Sequence, residues 1–197
     1  MSKLEQMQKV EKDVTHLKES PLYIYRTENK YVPVIGEGNL DANIVFVGEA
    51  PGKNEAQTGR PFCGASGSVL DELFAHINLN RTDIYITNIV KDRPEANRDP
   101  SPVEIDLYAP FLIRQFEIIK PKVIAPLGRF SSQFILEYFG LKESLDSISN
   151  IHGKVFNIKT EWGVVTIIPL FHPAVAVYNR KRLGELKSDF EIVQSSV

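Results

Sequence analysis

The stretch that decides the fold is VFVGEAPGKNEAQTGRPFCG, residues 45–64. It begins inside a β-branched run, NIVFV (residues 43–47), which is too short for a helix and ends at a turn, as is typical of a buried strand. The following Gly/Pro-rich segment carries the carboxylate of Glu49 and the aromatic ring of Phe62. A buried strand that leads into so long a loop suggests that the loop does more than connect two elements.

The rest of the chain alternates strands with helices. Apolar residues at three- and four-residue spacing predict amphipathic helices, and short apolar runs between turn signals predict strands. The alternation predicts an α/β fold, a three-layer α/β/α architecture with a central four-stranded parallel sheet. We expect one domain over residues 1–197, with the N-terminal helix (residues 1–20) packed on it. The predicted helices are 3–18, 66–79, 100–121, 128–140 and 180–194, and the predicted strands are 43–47, 83–90, 122–128 and 163–173.

Composition excludes several classes of protein. Of the 197 residues, 43% are hydrophobic, which is enough for a buried core. The formal net charge of −2 gives no overall basic field and counts against a strong non-specific coat of phosphate contacts. No apolar stretch approaches the ~20 residues that span a bilayer, and a single cysteine excludes an intrachain disulfide. We therefore expect a soluble, cytoplasmic protein with no membrane partner.

Four side chains of interest follow the predicted strands, at the edge where ligands bind in open α/β sheets. They are Glu49, Phe62, Asn88 and His172. Taken singly, each has an ordinary interpretation: an exposed acid, a core anchor, a turn former and a structural histidine. Together, a carboxylate, a ring that stacks, an amide that both donates and accepts, and an imidazole suit the recognition of a nucleobase.

Four segments at this edge resemble the family-four uracil-DNA glycosylases. The first is the most specific of them, and all four stand in the family's order and at suitable spacing. The resemblance extends over residues 17–190, and it implies the α/β fold described above. The segments are GEAPGKNEAQTGRPFCGASGSVL (48–70), TNIVKDRPEANRDPSPVEI (87–105), RQFEIIKPKVIAPLGR (114–129) and HPAVAVYNRKR (172–182).

The resemblance implies a role for each of the four side chains. Phe62 would stack on a uracil flipped out of DNA, and Asn88 would pair with the amide edge of that base. His172 would hydrogen-bond the O2 oxygen as the base leaves as an anion. Glu49 would position or activate the attacking water. Catalysis is thus expected from Glu49, Asn88 and His172, and the uracil pocket from Gly48, Glu49, Ala50, Phe62, Asn88 and His172.

DNA contacts are expected from the same loops. The segment AVAVYNRKR (174–182) would lie near the DNA backbone and insert as a wedge. The proposed contacts are Gly52, Lys53, Arg93, Arg180 and Arg182. More broadly, a narrow basic track is predicted from Lys53, Arg60, Lys91, Arg93, Arg98, Arg180, Lys181 and Arg182, although these are also ordinary solvated charges until their surroundings are known.

The implied function is that of a monofunctional glycosylase. It would hydrolyse the N-glycosidic bond of uracil in DNA by base flipping and so initiate base excision repair. Its partner would be uracil-containing DNA, it would act as a monomer, and it would associate with the nucleoid when acting on DNA. Two alternatives stay open: a glycosylase for another deaminated base, hypoxanthine or xanthine, and a non-catalytic DNA- or nucleotide-binding module that retains the pocket.

The chain departs from the family in its cofactor. Family-four enzymes typically hold a [4Fe–4S] cluster through four cysteines, whereas the corresponding positions here are Leu17, Ser20, Asp92 and Tyr108. The one cysteine, Cys63, lies in the loop after the first strand and not at a ligand position. We therefore expect no [4Fe–4S] cluster, no metal and no other cofactor. Packing around Leu17 and Tyr108, with a hydrogen bond to Asp92, is expected to tether these segments instead.

Overall fold

Helices cover both faces of a six-stranded sheet in the structure, a computed structural model that describes residues 1–197. The strands are β1 (Glu37–Gly38), β2 (Ile44–Gly48), β3 (Tyr85–Asn88), β4 (Val123–Pro126), β5 (Phe156–Thr160) and β6 (Gly163–Ile167). The helices are α1 (Lys3–Thr15), α2 (Leu22–Glu28), α3 (Lys53–Thr58), α4 (Ala65–His76), α5 (Pro102–Ile119), α6 (Arg129–Tyr138), α7 (Ile148–Ile151), α8 (Ala174–Tyr178) and α9 (Leu183–Ser195).

The sheet has the order β1-β3-β2-β4-β6-β5. Its four central strands are parallel, and they are the four that the sequence predicts, so the α/β fold class is confirmed. The sheet is nevertheless larger than expected, because β1 and β5 add an antiparallel strand at each edge. Strand β1 is only two residues long, and β5 alternates apolar with exposed polar side chains, so neither shows the continuous apolar run of a buried strand.

The alternation of side chains along β2 divides the core into two layers. Val45 and Val47 face the layer formed with α1, α5 and α6. Phe46 faces the opposite layer, where its ring lies 5.0 Å from that of Phe74 on α4 and 5.5 Å from that of Phe190 on α9. All five residues of β2 are buried, so side chains pack against the strand on both faces of the sheet. This packing also holds the carboxyl end of the strand in place.

The N-terminal helix packs on α5 and buries Met7, Val10 and Val14. It ends at Thr15, three residues earlier than predicted, and a second helix, α2, follows Pro21. The segment predicted as a polar loop after β2 contains the short helix α3, which is too short to show helical periodicity. None of the helices combines the length and apolar character needed to cross a membrane.

Candidate active site

A cavity of about 690 Å³ opens at the carboxyl ends of the parallel strands. Glu49, Phe62, Asn88 and His172 all line it, so the structure brings the four predicted side chains together. The register of the sheet explains this, because Gly48 at the end of β2 lies opposite Asn88 at the end of β3. Ala50, Gly52 and Lys53, also named from the sequence, belong to the same lining.

Gly48 makes room for the two groups that face it. A Cβ atom at this position would lie 2.2 Å from Oδ1 of Asn88 and 2.8 Å from Cζ of Phe62, closer than either contact allows. The Asn88 side chain makes no hydrogen bond to any other group of the protein, although Asn88 is only 2% exposed. Its N–H groups and its carbonyl oxygen are therefore both available to a ligand.

The ring of Phe62 is held in place through its backbone. Phe62 has a left-handed conformation (φ 49°), which is unfavourable for a side chain of this size. Arg81 donates hydrogen bonds to the carbonyl oxygens of Pro61 (3.0 Å) and Phe62 (2.6 Å) and pairs with Asp71. Helix α4 approaches so closely that a Cβ at Gly67 would lie 1.8 Å from the Phe62 oxygen. Nothing local in the sequence marks Arg81, 19 residues away, as the residue that holds this loop.

His172 is a neutral hydrogen-bond donor. The backbone N–H of Ala174 donates to its Nδ1 atom (3.2 Å), which places the ring proton on Nε2. Burial lowers the pKa of His172 to about 4, so the imidazole is uncharged at neutral pH. Its ring centroid lies 5.8 Å from that of Phe62, at the side of the cavity where a stacked base would lie. The Nε2–H group is thus suited to donate to a base oxygen.

Glu49 is a carboxylate with no hydrogen-bond partner on its side chain. Burial and, to a lesser degree, the nearby charge of Asp99 raise the pKa of Glu49 to about 7, while Arg129 opposes the shift. Asp99 and Arg129 pair with each other at 2.9 Å. A carboxyl group that ionises near neutral pH and has no partner in the protein is suited to accept a proton from water.

Two of the basic residues predicted to face DNA, Arg93 and Lys91, are engaged within the protein instead. Arg93 is 9% exposed, and Asn97, Tyr25 and Tyr31 accept hydrogen bonds from its guanidinium group at 2.7–3.1 Å, so it is not free to contact a phosphate. Lys91, assigned to the basic track, is entirely buried. The expectation of a DNA contact is therefore wrong for Lys91, and the structure counts against Arg93. Lys91 was misjudged because a loop position alone does not show which way a side chain turns.

Arg180 and Arg182 lie outside the lining of the cavity. Arg180 pairs with Glu72, and Arg182 pairs with Glu185 at 2.8 Å while its guanidinium lies 4.1 Å from the centre of the Phe171 ring. Both arginines are therefore paired with carboxylates of the protein itself.

Other residues of the cavity escaped the sequence analysis. Asp99 lines it from the segment before α5, beside Arg98, which the sequence had assigned to the basic track. Val177 and Tyr178 line it from α8, and their exposed fractions, 42% and 89%, are high for apolar and aromatic residues. The segment of Tyr178 was proposed as a wedge, but which of its side chains projects was not apparent from the sequence.

Comparison with known proteins identifies the family. The sequence model of the uracil DNA glycosylase superfamily matches residues 35–193, most of the chain. The chain belongs to the uracil-DNA glycosylase superfamily. It is 46% identical to a type-4 uracil-DNA glycosylase of Archaeoglobus fulgidus. The alignment of 169 residues covers 85% of this chain and 82% of that protein.

Two further relatives place the chain within the superfamily. A type-4 uracil-DNA glycosylase of Sulfurisphaera tokodaii is 40% identical over 192 residues, covering 97% of this chain and 84% of that protein. A type-5 uracil-DNA glycosylase of Thermus thermophilus is 32% identical over only 127 residues, covering 57% of this chain and 58% of that protein. The resemblance to the type-4 enzymes is therefore the more extensive one.

Leu17, Ser20, Asp92 and Tyr108, the positions at which the resemblance implies cluster ligands, lie around a buried polar network. The hydroxyl of Tyr108 donates to Oδ2 of Asp92 (2.5 Å) and lies 2.9 Å from Oγ of Ser20. Asp92 also pairs with Arg26 at 2.9 Å, and both side chains are at most 5% exposed. Leu17 packs against the apolar core beside them. The polar groups of Ser20, Asp92, Tyr108 and Arg26 are therefore already hydrogen-bonded to one another.

This donor set does not fit a [4Fe–4S] cluster. Such clusters are held by cysteine thiolates, and the one cysteine, Cys63, is exposed near Thr58 and lies outside this network. No three His, Cys, Asp or Glu side chains of the protein lie together so as to hold a metal ion.

Proposed function

We propose that this protein is a uracil-DNA glycosylase that hydrolyses the N-glycosidic bond of a flipped uracil. The observation that carries the proposal is the convergence of Glu49, Phe62, Asn88 and His172 on one cavity, with the amide of Asn88 unpaired. The type-4 relatives support the same substrate. We further propose that the whole chain acts as one domain and as a monomer, with uracil-containing DNA as its partner.

Phe62 and Asn88 would recognise the base. Stacking on an aromatic ring contributes about 1–3 kcal/mol per base, which is comparable to the few kcal/mol that base flipping costs. The free amide of Asn88 can donate to the O4 oxygen of uracil and accept from its N3–H group. Cytosine presents the opposite pattern of an amino donor and a ring acceptor at these two positions. The amide would select uracil only if its own orientation is fixed, because a rotated amide matches cytosine.

His172 would stabilise the leaving base. As the bond between C1′ and N1 breaks, its electron pair stays with uracil and negative charge develops on O2. The neutral Nε2–H group of His172 donates a hydrogen bond where this charge develops, in the manner of an oxyanion hole. Because burial disfavours the imidazolium form, His172 would act as a hydrogen-bond donor and not as a general acid.

Glu49 would act on the attacking water. The ionised carboxylate accepts a proton from water while the water oxygen forms its bond to C1′. The products are an abasic site and a uracil anion, which later takes a proton from solvent. The pKa of about 7 leaves a substantial fraction of Glu49 ionised at neutral pH and makes it a stronger base than an ordinary carboxylate.

Val177 and Tyr178 would contact the duplex at the position that the base leaves. Both are exposed at the mouth of the cavity, on the short helix that follows His172. An apolar or aromatic side chain inserted between base pairs compensates for lost stacking. Lys53 lines the same cavity and is a candidate for a phosphate contact.

We also propose that the protein needs neither a [4Fe–4S] cluster nor any other cofactor. The network of Arg26, Asp92, Tyr108 and Ser20 supports this, because it joins the segments that a cluster would join. Anaerobic reconstitution with iron and sulfide, followed by desalting, should leave colourless protein with unchanged activity. Retained iron and sulfide in a stoichiometric ratio, with the brown absorbance of a cluster, would overturn this proposal.

Cleavage of labelled oligonucleotides tests the activity. Duplexes with a single uracil, hypoxanthine, xanthine or cytosine are incubated with the protein and then treated with alkali, which breaks the strand at abasic sites. We expect cleavage at uracil that is lost in His172→Ala and Asn88→Ala variants, and no strand break without alkali. Cleavage only at hypoxanthine or xanthine would change the substrate, while bound but uncut DNA in every case would favour the non-catalytic module.

A further inference from the structure

Lys91 is a buried lysine without an acidic partner. Its side chain is 0% exposed, and it belongs to no ion pair of the protein. Its Nζ atom lies 2.6 Å from the carbonyl oxygen of Asn88, 2.7 Å from Oγ1 of Thr87 and 2.5 Å from Oε1 of Gln115. A buried amine is costly unless each of its hydrogen-bonding groups has a partner. The three partners of Lys91 therefore offset part of the cost of its burial.

The hydrogen bonds around Lys91 hold its amine against three oxygen atoms. Nε2 of Gln115 donates to the Ile35 oxygen (2.9 Å), so the Oε1 atom faces Lys91 as an acceptor. The three N–H bonds of a charged amine then match three acceptors. Burial lowers the pKa of Lys91 well below its usual range. Thr87 accepts from Lys91, because its own hydroxyl donates to the Ile35 oxygen (2.7 Å). In the neutral form, the two remaining N–H groups donate to Asn88 and Gln115. The contact with Asn88 persists in both states.

The hydrogen bond from Lys91 to the Asn88 carbonyl oxygen lies at the end of β3, where the direction of the backbone sets the direction of the Asn88 side chain. The side chain of Lys91 turns back over three residues to hold the Asn88 carbonyl oxygen, while the Lys91 oxygen accepts from the backbone N–H of Val34 (2.8 Å). The amide of Asn88 itself has no hydrogen bond to the protein. Its orientation in the cavity therefore depends on the backbone beneath it and on the packing against Gly48.

We propose that Lys91 is a positioning residue that orients Asn88 for pairing with the base. The proposal rests on the role of Asn88 in the proposed function. Lys91 touches neither base nor sugar, since it does not line the cavity. It acts through the Asn88 backbone, together with Thr87 and Gln115.

A double-mutant cycle between Lys91 and Asn88 tests this. Single-turnover rates on a uracil duplex are measured with saturating protein for wild type, Lys91→Met, Asn88→Ala and the double variant. A misplaced reacting group costs on the order of 10²-fold in rate, and we expect such a loss from Lys91→Met in the wild-type background. In the Asn88→Ala background we expect a further loss of less than about 3-fold, because the group that Lys91 positions is gone. Equal losses in both backgrounds, or no loss in either, would overturn the proposal.

Two further variants separate positioning from a general loss of stability. Leu136→Ala removes a buried side chain of α6 that does not line the cavity, and it should lower the melting temperature with little change in rate at 25 °C. Thr87→Val keeps Lys91 and the shape of the side chain but removes one of the three partners. It should fold even if Lys91→Met does not, and it should show a smaller rate loss that again vanishes in the Asn88→Ala background. The same loss in both backgrounds would contradict positioning.

A spectroscopic measurement makes the inference independent of catalysis. The side-chain amide signals of Asn88 are assigned in a ¹⁵N–¹H spectrum by their absence from Asn88→Ala. We expect Thr87→Val or Lys91→Met to shift or broaden these signals, and Leu136→Ala to leave them in place. Unshifted signals in the Lys91 and Thr87 variants would refute the positioning role. Wild-type protein without activity on uracil, but with the expected shifts, would refute the proposed function alone.

Discussion

Replacement of Glu49 by glutamine should remove both a base and a source of instability. The pKa of Glu49 is raised from 4.5 to about 7 because the carboxyl group is partly buried and has no hydrogen-bond partner. At 1.36 kcal/mol per pKa unit, ionisation would cost the folded state about 3 kcal/mol. Since the side chain is partly exposed, screening by water reduces this to about 1–2 kcal/mol.

The direction of the effect on stability depends on pH. The folded-state pKa lies above the unfolded value, so the folded state binds the Glu49 proton more tightly, and stability is lost as the pH rises from about 4.5 through 7. Glutamine cannot ionise and avoids this loss. Glu49→Gln should therefore be more stable than wild type by about 1–2 kcal/mol at pH 8 and equal to it at pH 4.5. Urea unfolding at the two pH values measures the difference.

The rate should change in the opposite direction. The wild-type single-turnover rate should rise with pH through an apparent pKa near 7 and then level off. Loss of a general base typically costs 10²- to 10⁴-fold, so Glu49→Gln should be slower by that order and lose the pH dependence, while duplex binding is retained. Glu55→Gln, in the same cavity, controls for the removal of one negative charge. A Glu49→Gln variant that keeps the pH profile and nearly the wild-type rate would refute the assignment of Glu49 as the base.

Three other changes probe the pocket, the tether and the wedge. Gly48→Ala should lower the single-turnover rate on the order of 10²-fold with little loss of stability, because its Cβ would displace Asn88 and Phe62; an unchanged rate would contradict the tight contact. Arg26→Met should lower the free energy of unfolding by about 3–5 kcal/mol, because it leaves the Asp92 carboxylate buried without its counter-charge; an unchanged urea midpoint would show that the pair stabilises nothing. Tyr178→Ala should reduce the rate on duplex uracil more than on single-stranded uracil, since only the duplex offers a stack to enter. Equal losses on the two substrates would count against a wedge.

The central sheet and the location of the site are the features that local sequence patterns predict well. The segments that form β2, β3, β4 and β6 are short, apolar and bounded by turns. Such a pattern of apolar residues depends only on residues that are close together in the sequence. Once the strands are parallel, their carboxyl ends must meet, which places Glu49, Asn88 and His172 at one edge without knowledge of any side-chain contact.

Side chains whose partners lie far along the chain were not predictable in this way. Arg93 and Lys91 are as polar as Lys53, yet two of them turn inward and one lines the cavity. All three were assigned to loops at the same edge of the sheet, and the difference arises from two tyrosines and a glutamine supplied by other elements.

The sequence by itself determined the parallel core, the order of its elements and the edge at which Glu49, Phe62, Asn88 and His172 would meet. Tertiary structure decided which groups surround them: Arg81 on the Phe62 loop, Gln115 on the Lys91 amine, and Arg26 on Asp92, a partner 66 residues away. The physical reason is range. Strand and helix patterns depend on residues a few positions apart, whereas burial of a charge is tolerated only when folding brings distant hydrogen-bond partners to it.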